Sequence, residues 1–118
     1  MAYRILIVDD HPSFRATART LLAADGFEVV GEAEDGRSAL EAIARLAPDL
    51  VLLVVQLPDM DGFAIASALH KANGKPPKVV LTSSRDASDF GPLVGLCGAS
   101  AFVPKAELTG AALRAVLR

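Results

Sequence analysis

The chain has 118 residues, 52% of them hydrophobic, and a formal net charge of -2. This length and apolar content predict one domain with a substantial core and argue against a disordered chain. The acidic balance offers no basic surface for nucleic acid, and no apolar run reaches the roughly 18 residues of a membrane span. The first residues are not a signal peptide, because their short apolar stretch ends in two acids, so we expect a cytoplasmic domain. The single cysteine, Cys97, excludes an intrachain disulfide and is expected to be a buried structural thiol.

Five predicted strands, of which the second alternates only weakly, follow one another with five helical segments between and after them. The first run ends on Asp-Asp-His-Pro, where the proline suits the first position of a helix. In the fourth helical segment, two glycines and Pro92 oppose a continuous helix, and Pro92 is a candidate start for a short second piece. The predicted strands are residues 4–8, 27–32, 49–55, 78–82 and 100–103; the predicted helices are residues 12–24, 37–47, 62–72, 87–96 and 108–117.

This alternation predicts a parallel sheet with helices on both faces and right-handed crossovers. In such a sheet the carboxyl ends of the strands share one edge. Three of the predicted strands carry polar residues at that edge: Asp9 and Asp10, Thr82 with its neighbour Ser83, and Lys105. The second helix is expected to bury Leu40, together with Ile43 and Leu46 or Ala47, on one amphipathic face.

The third strand is a run of branched apolar residues, the pattern of a strand buried on both faces. It leads into Leu-Pro-Asp-Met-Asp-Gly, residues 57–62. Val54 lies at its end, in the same layer as the polar residues of the neighbouring strands. Adjacent acids attract a hard cation such as Mg²⁺, and a lysine with a hydroxyl can neutralise a phosphoryl group. The set lacks a carboxylate that could receive such a group.

The chain resembles the receiver domain of two-component response regulators, over nearly all its residues. The resemblance rests on Ile-Val-Asp-Asp at 7–10, Asp-Leu-Val-Leu-Leu at 49–53, residues 57–62, Val-Leu-Thr-Ser at 80–83, and the stretch from Gly98 to Lys105. It implies a flavodoxin-like, doubly wound sheet with strand order 2-1-3-4-5, for which the receiver fold is itself a standard example. The Asp-Asp-His-Pro start is similar to receivers of the LuxR type. We expect residues 1–118 to form a single receiver domain, without an output domain in this chain.

The resemblance also implies roles for individual residues. Asp9 and Asp10 match the family's metal-binding acids, and the backbone carbonyl of Gln56 matches its main-chain metal ligand. Val54 falls where the family has its phospho-accepting aspartate. The remaining matches are the switch hydroxyl, the rotating aromatic of the fifth strand and the phosphate-contacting lysine, which correspond to Thr82, Phe102 and Lys105.

Valine at this position has direct chemical consequences. An aspartate accepts a phosphoryl group because its carboxylate is a nucleophile, whereas valine offers only methyl groups. We therefore predict a pseudo-receiver that is not an enzyme, has no active catalytic residue and binds Mg²⁺ weakly or not at all. It would act through protein contacts, with a sensor histidine kinase, another signalling protein, or a second copy of the chain through the face of the fourth helix, fifth strand and fifth helix. An engineered valine substitution in a competent parent is an alternative origin.

Other classes of protein share parts of this pattern. A flavodoxin-like FMN binder should offer hydroxyls and N–H groups in its first loop, where this chain presents two acids. A haloacid-dehalogenase-type phosphatase needs its second acid two residues after the first, and a Rossmann enzyme needs a glycine-rich first turn. His11 and His70 are expected to be surface histidines, with no carboxylates placed around either of them at ligand spacing.

Overall fold

A computed structural model describes residues 3–72 and 74–117 and shows a five-stranded sheet. All neighbouring strands are parallel, and their order across the sheet is β2-β1-β3-β4-β5. This confirms the predicted fold class and strand order. The strands are β1 (Arg4–Val8), β2 (Glu28–Ala33), β3 (Leu50–Val54), β4 (Lys78–Thr82) and β5 (Ala101–Phe102).

Helices connect the strands and cover both faces of the sheet. They are α1 (Pro12–Ala24), α2 (Gly36–Leu46), α3 (Gly62–Lys71), α4 (Leu93–Leu96) and α5 (Gly110–Leu117), with 3₁₀ turns at Ala87–Phe90 and Lys105–Glu107. Within the described ranges, no helix is both long enough and apolar enough to cross a membrane.

Alternate residues of the central strands divide the core into two clusters, as the two-residue period of a strand requires. Ile5, Ile7, Leu50 and Leu52 pack with apolar residues of α1 and α5. The other cluster combines Leu6, Val8, Val51, Leu53 and Val55 with residues of α2 and α3. Val54 belongs to neither cluster, although it is only 5% exposed. It lies where β3 ends, at the edge of the sheet that also carries Asp9, Thr82 and Lys105, which we call the polar edge.

The structure corrects several boundaries and one buried face. Leu40 of α2 is 36% exposed, whereas Ala39 and Ala42 are buried. The helix therefore packs its small residues Ala39 and Ala42, and not Leu40, into the core. Of the predicted fourth helix, only a 3₁₀ turn and the short α4 form, and Pro92 lies at the start of α4 as the sequence suggests. The fifth strand is two residues long instead of four.

Candidate functional site

Asp9 is the buried centre of the polar edge. It follows β1, its side chain has no exposed surface, and its backbone N–H donates to the Ala33 carbonyl at 3.0 Å. Its Oδ1 accepts a hydrogen bond from the His11 backbone N–H at 2.8 Å. Its Oδ2 forms an ion pair with the Lys105 Nζ at 2.8 Å. Arg15 donates to the Asp9 carbonyl oxygen at 2.7 Å and so holds the loop from the side of α1.

His11 lies over the two acids, and this corrects the expectation that no carboxylates surround it. Its Nδ1 is 3.0 Å from Asp9 Oδ1 and 3.2 Å from Asp10 Oδ1. The histidine is the N-cap residue of α1, and its extended backbone (φ -97°, ψ 109°) turns the imidazole back towards the strand end. The expectation of a surface position is confirmed, since the side chain is 65% exposed. The adjacent Asp-Asp-His sequence is the signal that could have revealed this contact.

Lys105 connects three elements at the edge of the sheet. Its backbone N–H donates to the Ser83 carbonyl at 2.9 Å, which joins the chain after β5 to the chain after β4. Its ammonium group lies 4.3 Å from the centre of the Phe14 ring on α1, in addition to its ion pair with Asp9. The side chain is only 19% exposed, so its charge acts in a partly desolvated place where ion pairing is strong.

Val54 and Thr82 are register partners at the ends of β3 and β4. Thr82 is fully buried, and its hydroxyl donates to the Val103 carbonyl at 2.7 Å, which ties β4 to the residue after β5. Since Val8 pairs with Leu53 in the parallel register, Asp9 and Val54 occupy the next position on neighbouring strands. The structure therefore brings the acid, the valine and the hydroxyl to one layer of the edge.

The loop that follows Val54 depends on a glycine. A Cβ atom at Gly62 would lie 2.5 Å from the Val54 carbonyl oxygen, too close for any side chain. The Gly62 N–H instead donates to the Val55 carbonyl at 2.6 Å. Gln56, the predicted main-chain metal ligand, is exposed and forms an antiparallel bridge with Asp61.

Phe102 ends a row of three aromatic rings on the side of the sheet covered by α3. Its ring centre is 5.8 Å from that of Phe90, which in turn lies 5.5 Å from that of Phe63. Phe102 is partly buried. These separations are typical of favourable aromatic pairs, so the ring has a packing role in this arrangement.

Sequence reasoning missed the role of Asp59 in the loop after β3. Its carboxylate accepts hydrogen bonds from the backbone N–H groups of Gly36 at 2.8 Å and Arg37 at 3.0 Å, at the start of α2. The Gly36 hydrogen bond, helped by those of Arg37 and neighbouring amides, lowers the pKa of Asp59. This contact joins residues 22 and 23 positions apart, so no local pattern reveals it.

A second missed group ties α1 to β2. Arg19 and Arg15 both bind the carboxylate of Glu32, at 2.7 and 3.0 Å. The hydrogen bond from Arg19, followed by that from Arg15, lowers the pKa of Glu32 despite partial burial, which acts in the opposite direction. Because Arg15 also binds the Asp9 carbonyl, Glu32 helps to position the loop that carries the acids.

Asp9, Asp10 and His11 could hold a metal ion together. Each offers one ligand atom, and these atoms lie within 4.8 Å of one another. An open groove of about 390 Å³ borders this cluster. It is lined by His11, Ser13, Phe14, Thr17, Ser84 and Lys105.

Comparisons with known proteins agree with this architecture. The signal receiver domain of the response regulator NarL from Mycobacterium tuberculosis is 34% identical, with a TM-score of 0.86 over 98% of this chain and 97% of that domain. The virulence transcription regulator BvgA from Bordetella pertussis is 35% identical over 107 residues, which cover 91% of this chain and 51% of BvgA. A protein-glutamate methylesterase/protein-glutamine glutaminase from Nocardioides is 36% identical over 115 residues, which cover 96% of this chain and 31% of that protein.

The chain thus spans about half of one curated relative and less than a third of the other. The family model described as the response regulator receiver domain matches residues 5–118. Together with the strand order, the polar edge and the relatives, this match shows that the chain belongs to the receiver-domain family of two-component response regulators.

Proposed function

We propose that this receiver domain cannot be phosphorylated and acts in two-component signalling through protein contacts alone. The observation that carries the proposal is Val54, which is buried at the end of β3 and faces Thr82 in register, in the layer that also contains Asp9. In this proposal Val54 occupies the acceptor position, and Thr82, Phe102 and Lys105 are what remains of the switch. Phosphoryl transfer needs a nucleophilic oxygen, and the methyl groups of valine supply none.

The charges of the site support the same proposal. The Lys105 ammonium is paired with Asp9 at 2.8 Å, so its charge has a partner without a carboxylate on β3. The Thr82 hydroxyl donates a hydrogen bond to the Val103 carbonyl. Both groups that would receive a phosphoryl oxygen therefore have partners within the domain.

The donor set also fits Mg²⁺ poorly. Magnesium prefers six oxygen ligands in a regular octahedron and is usually held by carboxylates. Val54 contributes no oxygen, and one oxygen of Asp9 faces Lys105. Asp9, Asp10 and the Gln56 carbonyl would be the remaining oxygen donors, and we expect weak binding or none.

Incubation with acetyl phosphate and Mg²⁺, followed by intact-mass measurement, tests the proposal directly. We expect no phosphoryl adduct on this chain and one adduct on Val54→Asp, because the substitution restores a nucleophile at the end of β3. Val54→Asn is the matched control. Asparagine has the shape of aspartate but lacks a nucleophilic carboxylate, so this variant should stay unmodified. A stoichiometric adduct on the unsubstituted chain would refute the proposal.

Whether the valine is natural or engineered changes the biology but not this chemistry. In an engineered phospho-null, Val54→Asp restores the parent, so it should also respond to phosphorylation with a change in partner binding. In a natural pseudo-receiver, the restored adduct need not be coupled to any such change. Pull-down of a partner by Val54→Asp with and without acetyl phosphate tests the engineered origin, which an unchanged pull-down would contradict.

Receiver domains interact with histidine kinases and other signalling proteins. For this chain we propose a cytoplasmic location, no direct contact with nucleic acid, and contacts through the face of α4, β5 and α5. Two leucines of α4 support that face, because Leu93 is 50% exposed and Leu96 is 77% exposed. Analytical ultracentrifugation of the chain and of a Leu93→Ser/Leu96→Ser variant tests self-association. A dimer that survives the double substitution would argue against this face.

A further inference from the structure

Met60 lies in the loop after β3 and covers the first residue of α2. A Cβ atom at Gly36 would overlap the Cγ and Sδ atoms of Met60 and would lie 3.0 Å from its Cε. The thioether therefore rests directly on the Gly36 backbone, which has room for it because glycine has no side chain. Methionine suits such a place, since its flexible, unbranched side chain fills irregular gaps.

The neighbouring Asp59 joins the same two elements through hydrogen bonds. Its carboxylate accepts the N–H groups of Gly36 at 2.8 Å and Arg37 at 3.0 Å. Met60 also packs against the apolar core cluster that includes residues of α2 and α3. One charged and one apolar side chain, adjacent in sequence, thus dock the loop on the start of α2. We call this contact the loop–α2 junction, formed by Gly36, Arg37, Asp59 and Met60.

The sulfur of Met60 can be reached by small oxidants. Met60 is only partly buried, and both Asp59 beside it and Arg37 across the junction are exposed. Cys97, by contrast, is 7% exposed, and its thiol donates to the Val94 carbonyl at 3.4 Å. Sulfur side chains are oxidised according to their exposure and, for thiols, their ionisation. We therefore expect a small oxidant to react at Met60 before it reaches Cys97.

We propose that Met60 is a reversible oxidation site whose sulfoxide loosens the loop–α2 junction. A lone pair of the thioether sulfur attacks one oxygen of a hydroperoxide, and an S–O bond forms as the O–O bond breaks. The sulfur loses two electrons, which reduce the peroxide. The proton of the transferred oxygen passes to the leaving oxygen, which departs as water or an alcohol. The product is a polar side chain, bulkier at the very atom that rests on Gly36.

The start of α2 has no free donor for the new oxygen. The N–H groups of Gly36 and Arg37 donate to Asp59, and that of Ser38 donates to Asp35 at 2.8 Å. A polar group that is buried without a partner is costly. The sulfoxide should therefore turn towards solvent and draw the adjacent Asp59 away from the helix. This outcome does not depend on the side chain at position 54, so the inference is independent of the proposed function.

Treatment of the folded chain with hydrogen peroxide, followed by intact-mass measurement and peptide mapping, tests the site. We expect one added oxygen, about 16 Da, on the peptide that contains Met60, and its removal by methionine sulfoxide reductases with a thiol reductant. The chain has one other methionine, Met1, which peptide mapping separates from Met60. Met60→Leu keeps the apolar volume and is the matched control, which should gain no oxygen at position 60.

Amide hydrogen exchange of the oxidised chain tests the effect on the junction. The amides of Gly36 and Arg37 should exchange at least about tenfold faster after oxidation, because they lose their acceptor. The Ser38 amide, which is held by Asp35 within α2, is an internal control and should change little. Peroxide treatment of Met60→Leu should leave all three rates unchanged, and reduction of the sulfoxide should restore the original rates.

Two results would overturn the inference. One is a folded chain whose Met60 stays unmodified at peroxide concentrations that fully oxidise the same residue in the urea-unfolded chain. The other is a complete Met60 sulfoxide with unchanged exchange at Gly36 and Arg37. Neither measurement involves phosphoryl transfer, so failure of this inference is distinguishable from failure of the proposed function.

Discussion

The loop after β3 and the segment after β4 leave the same edge of the sheet but are held very differently. Residues 55–61 are fixed at both ends, by the 2.6 Å hydrogen bond between Gly62 and Val55 and by the bridge between Gln56 and Asp61. Asp59 fastens the middle of this loop to α2. Residues 83–100 contain only a 3₁₀ turn and the four-residue α4, from which two leucines project into solvent.

This difference shows why one substitution can remove an input without disturbing its surroundings. Backbone atoms and the side chains of Asp59 and Asp61 hold the loop after β3, and none of these contacts uses the side chain of Val54. The segment after β4 relies on apolar anchors such as Phe90 and the buried Cys97. We therefore expect substitutions of the charged residues around the ends of β1, β3 and β5 to cost more stability than substitutions in the segment after β4.

Lys105→Met should have the largest effect among these charged residues. It leaves the fully buried carboxylate of Asp9 without its cation, and uncompensated buried charges typically cost about 3–5 kcal/mol. The 19% exposure of Lys105 places the expected loss of unfolding free energy near the lower end, about 3 kcal/mol. Urea denaturation measures it.

A double-mutant cycle separates this charge effect from lost packing on Phe14. Asp9→Asn/Lys105→Met should recover part of the loss, because the buried charge is removed with its partner. Lys71→Met, at the exposed end of α3, is the matched control and should change stability by less than about 0.5 kcal/mol. If both lysine variants lose the same stability, the ion pair is not what holds the edge.

Val54→Asp should come second, and its effect should depend on metal. Without metal, a third carboxylate joins Asp9 and Asp10 in a buried place, where like charges repel. We expect a loss of about 1–3 kcal/mol in chelator, as for other buried polar substitutions. Added Mg²⁺ should restore much of this loss in the variant and change the melting temperature of the parent little.

Thermal melts with chelator and with Mg²⁺, on the chain and on Val54→Asp, decide the matter. Val54→Asn separates the cost of a polar group from that of a charge, and its melting temperature should not rise with Mg²⁺. Equal melting points of the parent and Val54→Asp in chelator would contradict the expectation. A large Mg²⁺ shift of the parent would do the same.

The sequence predicted the sheet because β1, β3 and β4 are runs rich in branched apolar residues between clear turns. The element order needs only these local patterns, and the strand order came from the resemblance to receivers. Local patterns failed where small side chains decide the packing: Ala39 and Ala42 set the buried face of α2, and Leu40 does not. They also missed the length of β5, because pairing with β4 continues for only two residues.

Within the site, the motifs predicted which strand ends meet but not which groups pair there. The pairing of Lys105 with Asp9 joins residues distant in sequence, and it could be read only from the folded arrangement. His11 and Asp59 were missed for opposite reasons. The first contact is local but depends on the backbone angles of one residue, and the second joins elements distant in sequence.

Asp59→Asn should weaken the loop after β3 in a pH-dependent way. The pKa of Asp59 is lowered in the folded domain, chiefly by the Gly36 N–H, so its charge stabilises the fold at pH above the ordinary value of 3.8. That contribution is lost as the pH falls through the lowered value. Near neutral pH the variant should have a slightly lower melting temperature than the parent. Between pH 5 and strong acid, about the range in which a carboxylate of lowered pKa titrates, the variant should lose less stability than the parent.

Acid titrations followed by circular dichroism measure this difference in slope. Glu107→Gln, in an exposed 3₁₀ turn, provides the control and should keep the acid profile of the parent. Parallel acid profiles for Asp59→Asn and the parent would show that the contact with α2 does not contribute.

The smallest change in global stability should come from the segment after β4. Leu96→Ser should alter the unfolding free energy by less than about 0.5 kcal/mol, because the Leu96 side chain is 77% exposed. Local opening, in contrast, should be most frequent in this segment. Amide hydrogen exchange reports it, and the amides of α4 should exchange well before those of α2, which has a capping box at its start. Glycines at 91 and 95 lower helix propensity, so Gly95→Ala should slow exchange in α4 while leaving α2 unchanged. Uniform protection of both helices would mean that the segment after β4 is held as firmly as the loop after β3, and the surface left free for partners would then be a fixed one.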